Sequence, residues 1–201
     1  MSEKKQPKQH SVGRPRSEAS KIAILNATID LLEETGYSAL TIESIAGHAG
    51  VGKATIYRWW SNKAFLVLDA FFMTTDPHLY FLEKTSIHEN FRQQLYDLAK
   101  VLNGTLGRTV VALVAESGED SEIAQAFYTY FLVPRRKDAK LTLERAIAQG
   151  EIQETINLDV VLDMLYGPVY FRILIYKKKV DAKFIDTLVD QVMISIGTLL
   201  Q

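Results

Sequence analysis

Cysteine is absent from this 201-residue chain. That excludes a disulfide framework, a thiolate metal site and a thiol nucleophile. Histidine is scarce: His10, His48, His78 and His88 stand at no i, i+4 ligand spacing, so neither a metal site nor a cofactor is expected. Long apolar runs are missing too. The longest, Val160 to Ile175, carries Asp163 and Arg172 and is shorter than a membrane span requires. Lys21 and Asp30 interrupt the first hydrophobic segment, so no signal-peptide core follows the N-terminus. A cytoplasmic protein with no membrane partner is expected. Strand-like alternation is lacking throughout, and the Val110 to Ala115 run is the one place a strand could hide. No paired-carboxylate spacing or Ser-His constellation marks an enzyme; Asp163, Arg172 and Glu144 would be its only material.

What is present is ordinary globular composition, 47% hydrophobic and 23% charged, in a chain long enough to bury a real core. The formal net charge is -1, but the charge is unevenly placed. Met1 to Lys21 holds Lys4, Lys5, Lys8, Arg14, Arg16 and Lys21 against Glu3 and Glu18, with few apolar residues, the pattern of a basic unfolded arm. Residues 1–73 carry a net +2 and residues 74–201 a net -3. A basic head on a mildly acidic body suits a nucleic-acid reader joined to a module that must not stick to the same polyanion. The expected division is an arm at 1–16, a head at 17–73 and a body at 74–201.

Helical periodicity dominates. Ile22, Leu25, Ile29 and Leu32 step at helical spacing from Ser17, an expected N-cap, and Gly36 supplies a left-handed stop. Thr41 caps a second helix with Ile42, Ile45, Ala46 and Ala49 on its apolar face, and Gly50-Val51-Gly52 breaks it. A short third helix is expected over Lys53 to Trp59, and a fourth, capped by Ser61, runs toward Thr75. Further helices are expected near 86–103, 109–117, 121–132, 134–149, 158–176 and 181–200. The fold class is therefore all-α.

Helix, glycine turn, short helix between Thr41 and Trp60 is the helix-turn-helix pattern, whose second helix can enter a major groove. That helix needs short side chains near its start to approach base edges, and donors beside them for phosphates. Lys53, Ala54, Thr55, Tyr57 and Arg58 supply these, while Ile56 and Trp60 make the inward face. The stretch Gly36 to Leu66, GYSALTIESIAGHAGVGKATIYRWWSNKAFL, closely resembles the DNA-binding segment of the tetracycline-repressor (TetR) family of bacterial transcriptional regulators. Its landmarks are Gly36-Tyr37, Thr41-Ile42, Ile45-Ala46, Ala49-Gly50-Val51, Thr55-Ile56-Tyr57, Trp60 and Lys63. The resemblance implies an N-terminal helix-turn-helix DNA-binding domain followed by an all-helical ligand-binding and dimerisation domain. It implies that Thr41, Tyr57 and Lys63 hold the DNA backbone and that Lys53, Ala54 and Thr55 face bases. Trp59 stands where many members have His, and Ala64 replaces the more usual Glu. Arg14 and Arg16 suit a minor-groove arm.

Gly47 to Ala54 comes within one residue of a P-loop but fails on chemistry, since Ala54 has no hydroxyl for magnesium and no strand precedes it. Leu143 to Glu151 and Asp163 to Arg172, with Tyr166-Gly167-Pro168, look like the ligand-binding region of one branch of the family. Phe91, Tyr96, Phe127, Phe131, Tyr166 and Tyr170 are the expected walls of a pocket for a largely apolar effector. The last two helices carry more apolar surface than one face can hide, so Val161, Leu165, Phe184, Leu188, Val192 and Ile196 are the expected homodimer contacts. The expected function is a ligand-responsive regulator, a repressor, that binds a palindromic double-stranded DNA operator as a homodimer. The rival is a helical small-molecule binding protein without DNA binding.

Overall fold

The computed structural model describes residues 18–75, 86–118 and 120–197, and among these there is no strand. Ser17, Arg14, Arg16 and most of the 74–85 boundary lie outside the described residues. The first helix, α1 (Glu18–Ala39), buries Ile24, Leu25, Thr28 and Leu32, while Ile22 is exposed. The buried stripe is thus rotated from the expected one, because Thr28 satisfies its hydroxyl by donating to the Ile24 carbonyl at 2.8 Å and can enter the core. Gly36, at φ 74° and ψ 168°, breaks the helical path at the expected position.

Next come α2 (Ile42–His48) and α3 (Lys53–Tyr57), joined through Gly50 at φ 66°, and then α4 (Lys63–Thr75). Asn62, rather than the expected Ser61, caps α4: its side-chain oxygen accepts from the Ala64 and Phe65 amides at 2.9 and 3.2 Å. Helix α1 packs on α2 and α4, and both α1 and α4 rest on α6.

The remaining elements are α5 (Ile87–Asn103), α6 (Thr105–Glu116), α7 (Glu122–Phe127), a π-helical turn (Tyr128–Leu132), α8 (Val133–Ala148), α9 (Leu158–Leu174) and α10 (Ala182–Ser195). The Val110 to Ala115 run is helical, within α6. Helices α5 and α6 meet at Gly104 at an angle of 85°. The expected break before Pro134 is absent, and α7, the π turn and α8 form one continuous rod. Proline has no N–H and its ring crowds the carbonyl four residues back. The wider turn, in which the Val133 amide bonds the Tyr128 carbonyl five residues earlier, accommodates it. Among the described residues no single helix is long and apolar enough to cross a membrane.

Candidate nucleic-acid interface and ligand cavity

The interface is built on two short helices that could not stand alone. Thr41 starts α2: its hydroxyl accepts from the Ser44 amide at 3.0 Å and Ser44 returns the bond to the Thr41 amide at 3.2 Å. Ile45 and Ile56 have no exposed surface and Trp60 very little, so these three anchor α2 and α3 to the rest. The opposite side of α3 is open: Lys53, Ala54 and Arg58 are exposed, Tyr57 is 56% exposed and Thr55 is half-buried. The Lys53 ammonium lies 2.6 Å from a Glu43 carboxylate oxygen on α2. This bond holds the Glu43 carboxyl below and the Lys53 ammonium above their ordinary values. Both groups are in water, and a polyanion can compete for Lys53.

Two expected backbone contacts are placed differently. The Lys63 ammonium donates to the carbonyls of Tyr37 and Leu40, each at 2.8 Å, and lies 4.1 Å from the centre of the Tyr37 ring. It therefore closes the end of α1 rather than standing free for a phosphate, because three donors on a flexible stem meet carbonyls that the helix end leaves open. Trp59 is half-buried, its indole Nε1 enclosed, its ring tilted against Trp60 at 6.1 Å and 5.3 Å from the Lys21 ammonium. An enclosed indole N–H cannot reach DNA. Lys63→Ala is accordingly expected to lower stability by about 1–2 kcal/mol, whereas Tyr57→Phe, which alters only an exposed hydroxyl, leaves the melting curve unchanged. Thermal melts of the two variants check this.

Between α5, α8, α9 and the π turn lies a cavity of about 400 Å³, lined among others by Gln94, Leu98, Phe131, Arg135, Tyr166 and Tyr170. Of the expected walls, Phe131, Tyr166 and Tyr170 are there and three are not. Phe91 is fully buried core, and Phe127 is buried against Phe131 at 4.9 Å. Tyr96 points away, its hydroxyl bonded to Asp186 of α10. A helix presents only one face to a cavity, and aromatic composition does not say which. Gln94 and Arg135 are additions to the expected walls, since aromatic composition gives no sign of them. Arg135 stands one turn after Phe131, and that spacing is the signal the sequence does carry.

The expected dimer contacts are also redistributed. Val161, Leu165, Val192 and Ile196 are buried within the chain's own core, whereas Phe184 and Leu188 are half-buried. The apolar side chains open to solvent on these helices are Val160, Met164, Phe171 and Ile175 at one-turn and two-turn spacing along the C-terminal pair's first helix, with Ile194 on the second. The three on α9 and Ile175 at its C-cap share one face.

Helix α4 joins the two regions. Phe71 meets Phe131 at 4.9 Å and Phe127 at 6.1 Å, and Phe72 meets Tyr130 edge-on at 6.3 Å. Nearer α3, Asp69 accepts from the Trp60 indole at 2.9 Å and faces Lys21 at 3.6 Å. Among the described residues no group of three or more His, Asp or Glu side chains is placed to hold a metal ion.

Comparison with known proteins agrees with this geometry. Residues 24–70 match the model of bacterial regulatory proteins of the tetR family, and residues 83–192 match the tetracyclin repressor-like C-terminal domain. The chain is 38% identical over 177 residues to an uncharacterised HTH-type transcriptional regulator, YdeS, of Bacillus subtilis strain 168, covering 88% of this chain and 89% of that one. A crystal structure of a TetR family transcription regulator superposes with a TM-score of 0.72 at 30% identity, covering 88% of this chain and 98% of that one. The fold is shared with Bacillus subtilis FadR, solved in complex with stearoyl-CoA, at a TM-score of 0.62 and 19% identity over 89% of this chain and 99% of that one. The chain therefore belongs to the TetR family and is a DNA-binding transcriptional regulator.

Proposed function

We propose that this regulator is a homodimeric repressor of the cytoplasm that binds a roughly palindromic operator and is released by a small, largely apolar ligand. The observation that carries the DNA half of the reading is the open face of α3, where Lys53, Ala54, Thr55, Tyr57 and Arg58 surround a helix start with no bulky side chain in the way. In this reading residues 1–16 are the arm that brings Arg14 and Arg16 to an adjacent groove, 17–73 the head and 74–201 the body. Thr41 and Tyr57 contact phosphates while Lys53, Ala54 and Thr55 face bases. Lys63 and Trp59 serve from behind by fixing the helices.

Two half-sites need two heads at fixed separation. The exposed α9 stripe of Val160, Met164, Phe171 and Ile175, extended by Leu188 and Ile194 of α10, supplies a surface for a second copy. The cavity supplies an effector site, a reading supported by the stearoyl-CoA held by the FadR relative of the same fold. A ligand that prefers the dimer with wrongly spaced heads needs a coupling of about 1–3 kcal/mol to change operator affinity about 5- to 150-fold. Helix α4 is the lever.

The test is a gel shift on DNA flanking the protein's own gene, across a range of salt. Binding should weaken steeply with salt, and deleting residues 1–16 should flatten the slope by about 0.9 log units per log salt for each phosphate that the arm neutralises. Lys53→Ala or Thr55→Ala should change the preferred base, at a cost of about 1–3 kcal/mol where the contact is good. Glu43→Gln should tighten binding to all sequences, since it frees Lys53 and removes a carboxylate from the polyanion's path. A chain that binds no DNA at low salt leaves the helical small-molecule binder, and an unchanged consensus for both base-facing variants removes the assignment of the reading face.

A further inference from the structure

We infer that the crevice between the α3–α4 turn and the rod of α7 and the π turn binds an organic cation, a positively charged nitrogen carried on an aromatic or apolar body. This site is separate from the cavity bordered by Tyr166 and Tyr170, and the two share no lining residue among the described ones.

The crevice has a volume of about 380 Å³ and is walled largely by rings. Trp59 and Trp60 tilt against each other at 6.1 Å, Phe65 and Phe72 come from α4, and Tyr130 of the π turn meets Phe72 edge-on at 6.3 Å. An aromatic ring carries negative potential on its face, so several rings around one space favour a cation. The ionisable groups on the wall have a matching sign. They are Asp69 of α4 and Glu122 of α7, with no Lys, Arg or His among the described lining residues.

Lys21 of α1 shows the same preference within the chain. Its ammonium lies 3.6 Å from Asp69 and 5.3 Å from the centre of the Trp59 ring, yet Lys21 is not part of the crevice wall. Asp69 is thereby paired, and it also accepts from the Trp60 indole at 2.9 Å. Glu122 has no such partner: it is exposed and makes no side-chain hydrogen bond or ion pair with any described residue. It stands in the first turn of α7, where the helix dipole favours an ionised carboxylate. One uncompensated negative charge therefore stands beside a set of aromatic faces. An anion is repelled there. A neutral hydroxyl can hydrogen-bond to the carboxylate, but it gains neither the ring faces nor the ion pair.

Past Phe72 and Tyr130 the crevice continues into a second space of about 360 Å³, lined by those two rings, Asp69, Thr75 and Arg135. Arg135 makes that end unfit for a cation, so the charged nitrogen belongs at the Glu122 end. The site spans two parts of the fold, since Trp60 and Asp69 belong to the α3–α4 side and Glu122 and Tyr130 to the rod. An occupant touches both.

The experiment uses the full chain and three probes of one shape: 2-phenylethylammonium, 2-phenylethanol and phenylacetate, a cation, a neutral molecule and an anion. Tryptophan emission reads the site directly, because Trp59 and Trp60 are the chain's two tryptophans. The cation should change that emission saturably and bind at least about fivefold tighter than the alcohol, with the anion weakest. Glu122→Gln should weaken the cation by about two- to fivefold and leave the alcohol as before. Tyr130→Leu should cut the preference for the cation by about two- to fivefold. Both side chains are exposed, so neither variant puts the fold at stake, and circular dichroism confirms it. An alcohol that binds as tightly as the cation, a cation indifferent to both substitutions, or no saturable change of emission with the cation overturns the assignment.

Discussion

Met164→Glu is expected to yield a folded, helical monomer that no longer binds operator, while Val192→Glu is expected not to fold. The two positions lie on adjacent helices of the C-terminal pair and both are apolar candidates for one seam, but their surroundings differ. Met164 is 40% exposed and lies on the same face as Val160, Phe171 and Ile175, whereas Val192 is 3% exposed and inside the chain's own core. Across a two-fold axis a residue lies near its symmetry mate, so Met164→Glu places two like charges in an apolar seam. Desolvating them without partners raises the dimer dissociation constant by roughly 100-fold or more. In the isolated protomer the same carboxylate stays in water and costs little. At Val192 the carboxylate has no route to solvent and the core itself must open. Sedimentation with circular dichroism separates the outcomes. A Met164→Glu protein that remains dimeric with full operator affinity places the seam elsewhere, and a wild-type chain monomeric at micromolar concentration with and without operator sinks the two-headed mechanism.

Phe71→Ala is expected to cost about 3–5 kcal/mol in chemical denaturation, a large share of the about 5–15 kcal/mol that holds a domain of ordinary stability. Phe71 has no exposed surface and packs on Phe127 and Phe131, which are themselves stacked at 4.9 Å. Removing its ring leaves a void between α4 and the rod of α7, the π turn and α8, and close-packed neighbours collapse into such a void only partly. Tyr130 touches the same helix through Phe72 but is largely exposed, so Tyr130→Ala should cost below about 1 kcal/mol. Equal costs at the two positions would show that the buried aromatic cluster is not what joins α4 to the rod.

Much of the helix-turn-helix is legible in the sequence because its signals are local. Thr41 as a cap, Gly36 and Gly50 as positive-φ breaks and Ile56 with Trp60 as the inward pair depend on neighbours within a few residues. Lys63 is legible as a special position but not in its role, since the carbonyls it binds belong to Tyr37 and Leu40, more than twenty positions earlier. The place of Trp59 in the motif points it outward, and only the packing against Trp60 and under Lys21 turns it in.

The sequence by itself determined that the chain is helical, where its short third helix starts, and that it carries excess apolar surface near its end; it ran that helix to Trp59, two residues past its end at Tyr57. Periodicity, capping and glycine conformation are properties of a few consecutive residues, and they survive whatever the rest of the chain does. Which side of α9 and α10 is covered, which tyrosines border the cavity and that Gln94 and Arg135 line it beside them were decided only by the tertiary structure. Those answers depend on rotation about helix axes and on contacts between residues such as Gln94 and Tyr166, far apart in the chain. A helix that is apolar on nearly every side, as Val160 to Ile175 is, has no preferred orientation until its neighbours choose one.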